Sequence, residues 1–196
     1  MNRTYSPFQR GLGILLLAIS GLVRAGEVPY SLSADTTVLY YNSSGYFHDS
    51  ASRYDYGLAL DLSYPLSPYF QLTGMGIFGF QSEFQFWGAG LTYEFVPAVI
   101  ARVVEGDSTI IQSYRKWRPY VQLAIGENTA ESILDVPLIH TQIIENTFGI
   151  FGAAGCGYAF NSTLEINARF MFLYGMNADL TVLSSGIMVG LKYNLY

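Results

Sequence analysis

Hydrophobic and polar residues alternate with a period of two along most of the sequence after residue 30. The clearest stretch runs from Tyr54 to Tyr64, where Tyr or Leu occupies every second position and Asp, Gly, Ala and Ser occupy the positions between. Successive side chains of a strand point to opposite faces of a sheet, so this pattern predicts a strand with one apolar and one polar face. Tyrosines at both ends of the apolar face are typical of a membrane strand, because their amphipathic rings suit the water interface.

Eight segments of the chain share this alternation or a less polar form of it. They span residues 32–40, 54–64, 69–80, 87–95, 119–126, 148–160, 164–174 and 187–195. Their lengths are close to the roughly 9–11 residues that a tilted membrane strand needs. We therefore expect an all-β fold, a closed antiparallel eight-stranded transmembrane β-barrel, because closure leaves no unpaired sheet edge in lipid. Small residues on the polar faces, such as Gly57, Ala59 and Gly90, suit the narrow interior of such a barrel.

The first 25 residues have the pattern of a secretory signal peptide. Arg3 and Arg10 precede an apolar run over residues 11–23, which is too short to span a bilayer as a helix. Val23 and Ala25 then occupy the two positions that a signal peptidase reads. We expect residues 1–25 to be removed and residues 26–196 to form the barrel domain.

Composition narrows the class of protein further. Charged residues make up 13% of the chain, against about 25% in an ordinary soluble domain, and aromatic residues make up 16%. Without residues 1–25 the chain keeps seven of its ten basic residues and all fifteen acidic ones, which argues against a nucleic-acid partner. The single cysteine, Cys156, excludes an internal disulfide framework.

The connections between the predicted strands differ in length at the two ends of the barrel. If the N-terminus starts in the periplasm, the outward loops cover residues 42–53, a short turn near Gln81, residues 127–146 and residues 175–183, and they lean acidic. The inward turns at residues 65–68 and 161–163 are tight, as in outer-membrane barrels. The inward connection over residues 96–118 is longer. It fits either an amphipathic helix or a hairpin that turns at residues 105–108.

The last residues carry a resemblance to a known group of proteins. Gly190, Tyr193 and Leu195 resemble the C-terminal signal of bacterial outer-membrane proteins, with Tyr196 as one additional residue. Together with the signal peptide and the strand plan, the mature chain resembles the small OmpA-like and opacity-type outer-membrane β-barrel surface proteins over most of its length. The resemblance implies a location in the bacterial outer membrane, contact with outer-membrane lipid, and recognition of the last strand by the outer-membrane assembly machinery.

The candidate catalytic and cofactor motifs are weak, and we expect a protein that is not an enzyme and has no cofactor. Gly74, Gly76 and Gly79 spell a dinucleotide-binding pattern, but no helix is predicted after them. Some small barrels modify lipid A with a His-containing site. The two histidines here, His48 and His140, fall in predicted loops and lack the expected neighbours, so no catalytic, cofactor or metal residues are predicted.

Charged residues on the inward faces form the candidate site. The predicted lumen charge network consists of Asp35, Asp61, Glu94, Glu165, Arg169 and Lys192. Ionised groups in a narrow interior should be paired or hydrated, because isolated burial is costly. The network predicts either a structural plug of salt bridges or a gated polar pathway.

Four functions are compatible with the sequence. The leading expectation is a non-enzymatic barrel with a structural or surface-interaction role through its extracellular loops, toward an unknown surface ligand. The alternatives are a narrow channel for small solutes, a lipid A-modifying enzyme and a soluble lipocalin-like carrier with its apolar face inward.

Overall fold

The computed structural model describes residues 30–45, 48–82, 84–96, 100–102, 111–113, 116–136, 139–177 and 180–195. Within the described strands, side chains are not described for residues 45–51, 100–102, 111–113, 130–136 and 139–144. The signal peptide predicted over residues 1–25 lies outside the described residues and stays a prediction. No helix in the described ranges is long and apolar enough to cross a bilayer.

Eight long strands form the barrel, as the alternation predicts. They are β1 (Tyr30–Gly45), β2 (His48–Pro65), β3 (Phe70–Gly79), β4 (Gln85–Glu94), β7 (Trp117–Val136), β8 (Ile139–Ala159), β9 (Leu164–Met176) and β10 (Leu180–Leu195). Each strand pairs antiparallel with the next one along the chain, β4 pairs with β7, and β1 pairs with β10. The sheet is therefore closed, and the predicted closed antiparallel eight-stranded β-barrel is confirmed.

The register of the pairings sets how narrow this barrel is. A path from Ser31 through the directly paired residues of all eight strands returns to β1 at Tyr41, ten residues further along. Such a stagger tilts the strands relative to the barrel axis. With eight strands, the interior is just wide enough for side chains to fill it.

The two faces of each strand meet different surroundings. On β2, Tyr54 and Tyr56 are exposed on the outer wall, whereas Asp55 and Asp61 are buried inside. The other strands follow the same rule, with Leu, Ile, Val and aromatic side chains outside. The apolar faces therefore point outward, and the alternative of a soluble barrel with its apolar face inward is wrong. An apolar outer wall needs lipid around it.

Aromatic side chains form a belt near each end of the outer wall. We call the end that holds Tyr30 and Leu195 the terminal end and the opposite end the loop end. At the terminal end Tyr93 contacts the rings of Tyr69, Phe70 and Phe95. Further contacts at this end join Trp117 to Tyr158 and Tyr158 to Phe160; at the loop end they join Tyr40 to Tyr54 and Phe78 to Trp87. Such belts mark the two membrane interfaces.

Three of the predicted outward loops are largely strand, which corrects the loop bounds. The β7–β8 pairing continues to Val136 and Ile139, and the β1–β2 pairing to Gly45 and His48. Backbone hydrogen bonds between two strands do not depend on which side chains the strands carry. The hairpins therefore continue beyond the apolar wall, although their sequence there is more polar. Both histidines, which were predicted in loops, therefore lie in strands.

The tips of the two long hairpins meet above the short β3–β4 hairpin. Residues His48 and Asp49 of β2 pair with Leu134 and Ile133 of β7. The β1–β2 register shifts just before this point, which is the mark of a β-bulge. A bulge bends its strand, and here it precedes the segment of β2 that reaches β7.

The long inward connection contains a hairpin. Strands β5 (Ile100–Arg102) and β6 (Ile111–Ser113) pair antiparallel outside the barrel sheet. Of the two possibilities for residues 96–118, this pairing supports the hairpin. The predicted turn at residues 105–108 lies outside the described residues.

Candidate functional site

The lumen is divided into two layers of different chemistry. The half toward the terminal end holds the charged layer, which we define as Asp35, Asp61, Glu94, Arg118, Glu165, Arg169 and Lys192. The half toward the loop end holds the apolar layer. It consists of Leu39, Ala59, Met75, Ile77, Phe84, Phe86, Ala124, Phe151, Ala153, Met171, Leu173 and Met188.

Arg169 on β9 is the centre of the first group in the charged layer. Its Nη2 donates to Asp35 Oδ2 on β1 at 2.6 Å, and its Nη1 donates to Asp61 Oδ2 on β2. The same Nη1 donates to Gln122 Oε1 on β7 at 2.7 Å. Asn167 Nδ2 donates to the second oxygen of Asp35 at 3.0 Å. One guanidinium therefore joins strands from several sides of the barrel, a geometry that suits its planar fork of donors.

Arg118 on β7 is the centre of the second group. Its Nη1 donates to Glu165 Oε2 on β9 at 2.5 Å, and its Nη2 donates to Glu94 Oε2 on β4. All three side chains are almost fully buried. Because buried charges need close partners, each arginine here is matched by two carboxylates.

Lys192 on β10 closes the second group from the opposite wall. Its Nζ lies 3.2 Å from Glu94 Oε1. Gln71 Nε2 donates to the same oxygen at 2.7 Å. Lys192 is the most exposed member of these ion pairs, with 14% of its side chain accessible, so it marks the terminal edge of the charged layer.

Hydroxyl groups and a small cavity separate the two groups. Ser63, Thr73 and Thr92 form a chain of hydroxyl contacts of 3.0 and 2.9 Å across β2, β3 and β4. A cavity of about 30 Å³ lies beside them, lined in part by Asp61 and Asn167. Asp61 Oδ1 and Asn167 Oδ1 accept no hydrogen bond from the described residues. A cavity of this size has room for one water molecule.

The apolar layer closes the lumen above the charges. All eight barrel strands contribute to it, and the turn before β4 adds Phe84. Phe86 and Phe151 stack across it with ring centroids 5.8 Å apart, and both are fully buried. The side chains of the apolar layer offer no oxygen or nitrogen ligand to an ion that crosses the barrel.

The structure places all six residues of the predicted charge network inside the lumen, but in two groups. Asp35 and Asp61 join Arg169, whereas Glu94 joins Lys192, and Glu165 reaches Glu94 only through Arg118. Sequence reasoning missed Arg118, because residues 96–118 were taken together as a connection. Its signal was the continued alternation of polar residues at Arg118, Tyr120 and Gln122.

The apolar layer was also missed. Sequence reasoning treated the inward faces as small or polar, whereas Met75, Ile77, Phe86 and Phe151 occupy inward positions of β3, β4 and β8. The available signal was position along the strand, because residues an even number of positions apart face the same side. Each of these four residues lies an even number of positions from a polar inward residue of its own strand. In segments where both faces are apolar, alternation does not tell the two faces apart.

Asp55 anchors the short β3–β4 turn at the loop end. Its Oδ1 accepts from the backbone N–H of Gln81 at 2.9 Å, and its Oδ2 accepts from the N–H of Ser82 at 3.2 Å and from the Ser82 hydroxyl. Phe84 follows the turn, is fully buried and stacks on Tyr41 at 5.9 Å. The turn thus covers the apolar layer from above.

Metal ligands are not grouped in the described part of the chain, where no three His, Cys, Asp or Glu side chains could hold an ion together. The side chains of His48 and His140 lie outside the described residues. Their strands place the two backbones on either side of β7 near its tip.

Comparisons with known proteins identify the fold of this chain but no family. No protein-family model matches the sequence, and no curated protein matches it either. Among solved structures, Neisserial surface protein A is similar, with a TM-score of 0.53 and 13% identity over 85% of this chain and 97% of that one. The outer membrane protein OprG from Pseudomonas aeruginosa is similar too, with a TM-score of 0.52 and 12% identity over 86% and 96% of the two chains. This chain has the β-barrel fold of outer-membrane proteins.

Proposed function

We propose that this protein is a non-enzymatic β-barrel of the bacterial outer membrane that supports the envelope and interacts with partners through its loop-end hairpins. The observation that carries the proposal is the double closure of the lumen by the charged layer and the apolar layer. Because the lumen is closed, we expect partners to contact the outside of the barrel and its hairpins.

The long hairpins are the best candidates for that surface. In the described part of the chain, backbone pairing above Thr129 and Phe148 joins β7 and β8 only to each other and, briefly, β7 to β2. The hairpin extends to Val136 and Ile139. Two of the three connections at the terminal end are short turns, and hairpins project at the loop end, which matches a barrel whose loop end faces outward.

Surface display is tested with an epitope tag inserted between Pro137 and Leu138. We expect an antibody to label intact cells that carry this variant, and a second tag inserted in the turn after Leu66 to be labelled only after permeabilisation. Replacement of residues 131–145 by a short Asn-Gly turn is expected to leave the barrel folded. If that variant and the unmodified protein restored a null strain equally in dye exclusion and in surface binding, the hairpin would have no role.

The narrow-channel alternative makes an opposite prediction in planar bilayers. The apolar layer favours a silent barrel, so we expect no conductance steps from the purified protein. Regular steps that disappear in a variant with a filled charged layer, such as Ser33→Phe, would favour the channel.

The lipid A-modifying alternative is tested by mass spectrometry of lipid A from expressing and null cells, where we expect identical spectra. The assembly machinery remains a proposed partner of β10. This strand ends in alternating apolar residues and closes the barrel against β1. A Tyr193→Ala variant should accumulate unfolded in the periplasm if the aromatic side chain carries this recognition.

A further inference from the structure

A groove of about 400 Å³ opens on the outer wall across β7, β8, β9 and β10, in the half toward the terminal end. The residues that line it are Trp117, Cys156, Tyr158, Ile166, Asn167, Ala168 and Val189. Asn167 contributes from its backbone, since its side chain donates to Asp35 in the lumen. Its volume lies in the range of roughly 300–1,000 Å³ that is common for small-molecule sites.

A row of short side chains forms the floor of the groove. Ala168 on β9 is directly paired with Cys156 on β8 and with Val189 on β10. Toward the loop end, the next row holds Phe170 and Ile187, each 58% exposed. Long side chains beside a short row produce a depression in a wall that otherwise projects into lipid.

Amphipathic and basic groups lie at the terminal rim of the groove. Trp117 is 65% exposed and packs edge-on against Tyr158, with ring centroids 5.0 Å apart. Trp and Tyr at this level belong to the aromatic belt, where one end of the ring is in lipid and the other can donate to headgroup oxygens. Lys116, immediately before Trp117, is exposed, so a long basic side chain begins one residue from this rim.

We propose that this groove binds an anionic glycerophospholipid, with one acyl chain along Ala168 and the phosphate near Lys116. The apolar floor matches the chain, the aromatic rim matches the glycerol level, and the lysine matches the phosphate charge. The source of the lipid is the leaflet that borders the terminal end. The identification of that leaflet as the phospholipid-rich periplasmic one rests on the orientation in the proposed function.

The test uses Trp117 as its own reporter. The chain has two tryptophans, Trp87 and Trp117, so the Trp87→Phe variant leaves one in the groove. This variant is refolded into phosphatidylcholine vesicles in which a rising fraction of the lipid is phosphatidylglycerol brominated on one acyl chain. We expect quenching of Trp117 to exceed the bulk mole fraction of brominated lipid about threefold, which corresponds to about 0.7 kcal/mol.

Matched variants separate a site from ordinary lipid contact. Ala168→Phe fills the floor and should reduce the enrichment to the bulk value, and Ala168→Leu should reduce it in part. Ala89→Phe, at another exposed alanine on β4, should leave it unchanged. Lys116→Gln should abolish the preference for phosphatidylglycerol while quenching by brominated phosphatidylcholine persists.

Three results would overturn the proposal. Quenching that follows the bulk mole fraction in the reference variant would mean no site, and equal enrichment in Ala168→Phe would place it elsewhere. A disulfide-linked dimer through Cys156 that Ala168→Phe prevents would mean that a second copy of the chain fills the groove. Symmetric vesicles make this test independent of orientation, so an inverted barrel in the epitope experiment would change the leaflet and not the enrichment.

Discussion

Lys192 Nζ lies 3.2 Å from Glu94 Oε1, although the two residues stand on β10 and β4, the strands diametrically opposite each other in the barrel. A contact across the full diameter shows how narrow the lumen is at the charged layer. It also ties together two walls that share no backbone hydrogen bond. The ion pairs therefore act as internal braces between strands that are not neighbours in the sheet.

The first prediction concerns the bridge made by Arg169. Arg169→Met leaves Asp35 and Asp61 buried without their cation, so we expect the free energy of unfolding to fall by about 3–5 kcal/mol. The triple variant Arg169→Met, Asp35→Asn, Asp61→Asn removes all three charges and should recover most of this loss. Urea unfolding of the refolded protein in lipid vesicles, followed by tryptophan fluorescence, measures both. A triple variant no more stable than the single one would show that hydrogen-bond geometry, rather than unpaired charge, sets the cost.

The second prediction ranks the two cations that contact Glu94. Arg118→Met removes the cation that Glu165 contacts and leaves Glu94 with Lys192 alone, so it should cost about 3–5 kcal/mol. Lys192→Met leaves Glu94 paired with Arg118 and lies at the partly accessible edge, so it should cost only about 1–2 kcal/mol. The same unfolding assay compares them. Equal costs would contradict the central position of Arg118 between Glu94 and Glu165.

The third prediction concerns a glycine that makes room for an ion pair. A Cβ on Gly157 would overlap the Glu165 carboxylate, which Arg118 holds in place. We expect Gly157→Ala to destabilise the barrel by about 1–3 kcal/mol, because the pair must shift. Gly152→Ala on the same strand is the control, since its Cβ would meet only Leu123 Cδ2 at an ordinary 3.7 Å. Equal unfolding midpoints for the two variants would mean that Glu165 moves away at no cost.

The fourth prediction tests the position of the membrane. Leu123 is 66% exposed on the outer wall between the aromatic belts, so Leu123→Lys places a charge in the hydrocarbon and should cost about 2–4 kcal/mol. Leu66 is also exposed but lies in a turn at the terminal end, where Leu66→Lys should cost about 0–1 kcal/mol. The measurement is the free energy of unfolding of each variant in lipid vesicles, compared with that of the unmodified protein. If both substitutions were equally mild, the hydrocarbon band would not cover Leu123.

Several features of the fold were accessible to sequence analysis because they are local. Side-chain direction alternates along any strand, so the period of two predicted the eight strands and which residues of β1, β2 and β9 face inward. The aromatic residues at the ends of the apolar faces likewise predicted where the interfaces lie. Where both faces are apolar, as around Phe151, the same rule could not tell lumen from lipid.

The sequence by itself therefore determined the strands, their two faces wherever one face is polar, and six of the seven charges of the charged layer. Only the tertiary structure decided which charges meet, because Lys192 and Glu94 are 98 residues apart and come together through barrel closure and stagger. It also decided where the strands end, since backbone pairing carries β7 and β8 past the last apolar residues of the wall. Pairing between distant segments depends on register, and register is a property of the closed sheet as a whole.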